Sequence, residues 1–181
     1  MNRDISKMIK IFSILFICLV GSMAVLAGQP NLVPHQINLK NGKRFSLNLP
    51  ANYDIIPAAE GLKRVRFFSK APDGRMFVTD MHDLTDNKKG IVYILDEWNA
   101  EIGKFGKIIP YMTGLKNPNS VQFYTDSSGQ DWLYLAETHQ LTRRKFTQGE
   151  IKPTAKAEVL ATFPDYGLSY KYGGWHLTRT I

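Results

Sequence analysis

The dipeptide Gly-Leu occurs at Gly61-Leu62, Gly114-Leu115 and Gly167-Leu168, with a spacing of 53 residues both times. Its surroundings recur with it. Gly61-Leu62-Lys63 and Gly114-Leu115-Lys116 each lead into a short β-pattern ending in aromatics, Val65 to Phe68 and Val121 to Tyr124. Each pattern reaches a glycine turn, Asp73-Gly74 or Ser128-Gly129, and then a second apolar strand, Met76 to Asp80 or Trp132 to Glu137. Third strands are predicted over Ile91 to Leu95 and Gln140 to Phe146, and fourth strands over Lys107 to Met112 and Ala157 to Phe163. Four short strands per period of about 50 residues is the pattern of a β-propeller blade. A β-sandwich is the structural alternative, but a sandwich requires no fixed repeat. No segment shows an apolar period of 3.6; Asp96 to Ile102 is the one stretch with room for a helical turn.

The predicted fold class is therefore all-β: a partial β-propeller of about two blades plus the first strand of a third. The repeats fall near 61–113, 114–166 and 167–181. Closed propellers use about four to eight blades. An open stack would leave the full edge of its last strand unpaired, a template for association. The expectation is that the chain is a fragment of a larger propeller, a truncated gene product, or a piece that needs another chain.

Residues 28–60 read as an N-terminal extension with leading strands. Gln36 to Leu39 and Arg44 to Leu49 alternate apolar and polar residues around Asn41-Gly42, a strong hairpin signal. Tyr53 to Ile56 reads as a further short strand.

Residues 1–27 are a different object. Arg3, Lys7 and Lys10 precede the 15 mostly apolar residues Ile11 to Val25 and the small-residue site Val25-Leu26-Ala27. This is the layout of a signal peptide cleaved after Ala27. A retained membrane anchor is the other reading, but the apolar run falls short of the roughly 20 residues that a spanning helix needs. Phe16 and Ile17 before Cys18 do not fit a lipoprotein signal. The mature protein is thus expected to be exported, periplasmic or secreted, with no membrane attachment. Cys18 is the only cysteine, so the mature chain would hold no disulfide. Removing three cations (Arg3, Lys7, Lys10) and one anion (Asp4) from a net charge of +7 leaves +5. The remaining cations are scattered, with no run of five, which argues against a nucleic-acid partner and leaves room for an anionic ligand or an acidic redox partner.

In a propeller, the loop before each first strand reaches over the central channel. The third such loop, Leu168 to Trp175, is the longest and carries Tyr170, Tyr172, Gly173, Gly174 and Trp175 ahead of His176. Adjacent glycines permit close backbone approach to a ligand, aromatics offer stacking planes, and a histidine can take a proton near neutral pH. A lone histidine beside a tryptophan is more often structural, so composition alone does not decide its role.

The run Gly173-Gly174-Trp175-His176-Leu177-Thr178-Arg179-Thr180 resembles the catalytic-histidine loop of soluble PQQ-dependent sugar dehydrogenases. These are the glucose/sorbosone dehydrogenase family, six-bladed β-propellers. Leu49 to Tyr53, Ala59 to Leu62 with Pro72 to Thr79, and Gly114 to Asn119 resemble the family's first strands and blades in order. The sorbosone-dehydrogenase-like branch is closer than the glucose branch. The resemblance spans about Leu49 to Ile181 and covers well under half of a family member, its N-terminal portion. It implies an exported dehydrogenase of a sugar or sugar-derived aldehyde, an external electron acceptor, and PQQ and calcium as cofactors. It implies His176 as general base and Asn119 as a cofactor contact, although a turn asparagine after Pro118 fits the residues equally. Trp175 stands where the glucose branch has an acid, next to cofactor or substrate. Asp80 and Met81 depart from the family's acidic–basic pair. The cofactor's basic partners and the calcium ligands belong to later blades, so no metal ligand is assigned here. A catalytically inactive propeller piece or a binding module is the alternative function. A calcium-dependent lactonase would need channel carboxylates that these loops do not offer.

Overall fold

The structure is a computed structural model that describes residues 31–164 and Ile181. It contains ten β-strands and, among the described residues, no helix. The chain divides into two compact units between Ile55 and Ile56.

The first unit is a hairpin of β1 (Leu32–Asn38) and β2 (Arg44–Pro50), paired antiparallel from Leu32↔Pro50 to Asn38↔Arg44. Its turn closes through Leu39 N–H to Lys43 O at 2.9 Å, with Gly42 at φ +82°. The predicted strand Tyr53 to Ile56 does not form. Asp54 instead accepts the Ile55 N–H at 2.7 Å, and a side chain that captures nearby backbone competes with a ladder.

The second unit holds two four-stranded antiparallel sheets, each in simple up-and-down order. One consists of β3 (Val65–Lys70), β4 (Met76–Asp80), β5 (Gly90–Asn99) and β6 (Lys104–Leu115). The other consists of β7 (Ser120–Thr125), β8 (Asp131–Ala136), β9 (Gln140–Lys145) and β10 (Glu158–Thr162). All eight predicted strands are present. The stretch Asp96 to Ile102 is not a helical turn. Trp98 pairs across the ladder with Phe105, ring centroids 4.8 Å apart, and this aromatic pair carries β5 out to Asn99 before the chain turns at Gly103.

The repeat governs how the sheets meet. At the first hairpins the turn glycines Gly74 and Gly129 both adopt φ above +80° and stand 55 residues apart. Ser69 pairs with Phe77 as Tyr124 pairs with Trp132; Phe68 pairs with Val78 as Phe123 pairs with Leu133. Phe77 therefore corresponds to Trp132, and Phe68 to Phe123. Yet Phe77 packs on Phe123, edge to face at 4.9 Å. One face of the first sheet thus rests on the opposite face of the second, a head-to-tail arrangement. Phe77, Val92, Ile94, Tyr111, Val121, Leu133, Leu135 and Phe146 form the core between them.

Two polar clamps tie this layer together. Tyr111 donates its hydroxyl to Glu150, and Asp73 in the β3–β4 turn accepts Gly149 N–H at 2.9 Å. Asp73 also receives the Arg75 guanidinium at 2.6 and 3.0 Å. Burial alone would push the Asp73 pKa up, but the Arg75 and Gly149 hydrogen bonds outweigh it and hold the carboxyl below its ordinary value. A lowered folded pKa stabilises above the unfolded value of about 4 and is lost as pH falls through the folded one. Asp73→Asn is expected to cost about 1–3 kcal/mol at pH 7. The gap from the parent protein should narrow below about pH 4. Urea titrations at pH 7 and pH 3 check this; a gap that is the same at both would contradict it.

Candidate functional site

The loops that feed β3 and β7 are built alike. Asp80, buried at the end of β4, accepts the N–H groups of Lys63 at 2.6 Å, Arg64 at 2.9 Å and His82 at 2.8 Å. Glu137, buried just after β8, accepts the Lys116 N–H at 2.7 Å and the Gln140 amide at 2.7 Å. Lys63 and Lys116 are 53 residues apart. In both repeats a carboxylate at the end of the second strand holds the loop before the first, supplying acceptors for backbone donors that no ladder reaches.

The second loop is the more rigid. Asn117 sits at φ +44°, a conformation asparagine tolerates better than most residues. It accepts Asn87 N–H at 3.0 Å and donates to Thr85 O at 2.8 Å. Pro118 packs so closely on Gly90 that a Cβ there would lie 2.1 Å from the proline Cδ. Only glycine fits that contact.

These supports fix Asn119, which is 2 % exposed. Its N–H donates to Ala136 O at 2.9 Å, and its carbonyl accepts the Thr79 hydroxyl at 2.8 Å. Its side-chain Oδ1 accepts Arg66 Nε–H at 3.1 Å. Three positions further along, Ser69 donates to Gln122 at 2.7 Å. Both pairs join residues 53 apart and bring β3 beside β7; by the hairpin registers, in which Ser69 corresponds to Tyr124, they join offset positions of the two sheets. Ile181 also comes here, donating its N–H to Ser120 Oγ at 3.4 Å.

Arg66 is exposed on β3, and Nε is its one bonded donor among the described residues. A guanidinium has five N–H donors in a planar fork, so its outer edge can meet a carboxylate. Sequence reading did not single out Arg66. No motif marks it; only the fold brings Arg66 on β3 into contact with Asn119. His176 and Trp175 lie outside the described residues, as does the predicted signal segment. Among the described residues no three His, Cys, Asp or Glu side chains gather as metal ligands. For an anionic quinone the donor set fits in type: an exposed cation held beside a buried amide. No protein-family model matches this chain, and no curated protein does.

Proposed function

We propose that this chain forms part of a six-bladed β-propeller dehydrogenase, exported and dependent on PQQ and calcium, that oxidises a sugar or sugar-derived aldehyde. The observation that carries the reading is the Arg66–Asn119 pair on adjacent first strands. Head-to-tail packing of two equivalent sheets supports the radial stacking of blades. Beside the basic partners that the resemblance places in later blades, Arg66 would add a contact to a carboxylate of PQQ, with Asn119 setting the orientation of its guanidinium. When bound, the quinone supplies the hydride-accepting centre. His176 takes the proton from the substrate hydroxyl, and Trp175 beside it offers a stacking plane.

The test is PQQ binding with calcium by the protein of the full reading frame, followed by absorbance. Arg66→Ala should weaken it about tenfold or more, the worth of a charge-assisted hydrogen bond. Absence of saturable PQQ binding would overturn the assignment. A second reading, a catalytically inactive propeller or binding module, is favoured by the burial of Asn119 and the engagement of its Oδ1 by Arg66. That reading predicts no PQQ binding at all.

A further inference from the structure

A second polar site lies away from Asn119, in an open cleft of about 310 Å³ within the second unit. Lys88, Lys116, Glu137, His139, Thr142 and Arg144 are among the residues that line it. Each reaches it for a structural reason. Thr142 and Arg144 pair with Leu135 and Leu133, so they share the face of the second sheet that packs on the first. Lys88 leads into β5, Lys116 follows β6, and Glu137 and His139 belong to the β8–β9 connection.

The charges there are unequal in what they have left to offer. Both Glu137 oxygens are occupied, one by Lys116 N–H and one by Gln140. Lys116 Nζ lies 3.4 Å from Asp86. Among the described residues, the side chains of Lys88 and Arg144 make no ion pair and no hydrogen bond. Arg144 is half-buried, and the one interaction of its charge is with Tyr111, which donates to Glu150. His139 Nδ1 is fully buried and has no hydrogen-bond partner. Two cationic side chains with no ion pair among the described residues thus line a cleft whose single carboxylate is already satisfied, and His139 lines it beside them.

We propose that this cleft binds a small oxyanion, a phosphate or carboxylate group, with Arg144 and Lys88 supplying charge and His139 a ring N–H. It is independent of the dehydrogenase reading, because neither Arg66 nor Asn119 lines it. An oxyanion here compensates Arg144 and bridges the β5–β6 end of one sheet to β9 of the other. Binding therefore stiffens the seam between the two sheets.

Inorganic phosphate and citrate, titrated at constant ionic strength against chloride, test this on the full chain. Either anion should bind saturably and raise the melting temperature by a few degrees, while chloride does not. Tighter citrate identifies a carboxylate ligand, and tighter phosphate a phosphate ligand. Arg144→Gln and Lys88→Gln should each weaken binding about tenfold, and Arg144→Lys should restore part of the loss. Because Lys88 precedes its strand, Lys88→Gln gives a variant that leaves the core intact. In the parent protein the His139 ring resonances should shift during titration. The Lys43→Gln protein loses the same single charge at an exposed site elsewhere and should bind as the parent does. Equal weakening in that control, or no saturable binding of either anion, overturns the proposal.

Discussion

If the chain is part of the proposed dehydrogenase, replacing His176 by alanine should lower its PQQ- and calcium-dependent dye reduction by about 10²–10⁴-fold, the usual contribution of a positioned general base. The loss should fall on kcat, with KM changed little, because the imidazole acts on a proton in transit rather than on the resting sugar. The chemistry behind this is limited and specific. A hydroxyl carbon gives up hydride only as its oxygen gives up a proton, and Gly173-Gly174-Trp175-His176 offers one side chain suited to take it. Measurement is by dye reduction with the parent and variant proteins loaded with PQQ and calcium. An unchanged rate in the variant would rule out His176 as the base.

The second large effect concerns stability. Phe77 is fully buried between the sheets, with Tyr111, Phe123 and Phe146 against it at centroid distances of 5.0, 4.9 and 5.6 Å. All three contacts are edge-on, the favoured arrangement for aromatic quadrupoles. Phe77→Ala is expected to cost about 3–5 kcal/mol, since the lost transfer energy is joined by that of an unfilled cavity. Against a typical total of about 5–15 kcal/mol this removes a large share of the stability. The urea midpoint should fall by more than about 1 M. Phe68, in the first sheet's counterpart position to Phe123, is 71 % exposed, and its alanine variant should stay within about 0.5 kcal/mol of the parent. A Phe77→Ala cost no greater than that of Phe68→Ala would contradict head-to-tail packing as the main source of stability.

The strands were legible because each is bounded by turn chemistry that has one reading. Asp73-Gly74, Ser128-Gly129 and Asn41-Gly42 all place a glycine at positive φ, where the chain reverses. The two errors come from competition that no local pattern exposes. Asp54 captures the Ile55 N–H and no strand follows, while Trp98 finds Phe105 across the hairpin and extends one. The candidate sites were less legible for a related reason. The family resemblance drew attention to Asn119 but not to its partner Arg66, because only the meeting of β3 with the loop before β7 brings the two together. Lys88, His139 and Arg144 share no motif; only the apposition of the two sheets brings them to one cleft.

The up-and-down order of the sheets also bears on how the chain folds. Every ladder in the second unit joins strands that are consecutive in sequence. Each hairpin closes a short loop, which costs little entropy and forms on the microsecond scale. Most long closures lie at the seam, where Arg66 meets Asn119 and Asp73 meets Gly149; Phe105 N–H to Ala58 O at 3.0 Å is one away from it. The first sheet therefore has all its internal partners once residue 115 has been synthesised, before any of β7 exists. Growth from the ribosome can then proceed one sheet at a time, with each finished sheet serving as the surface on which the next condenses.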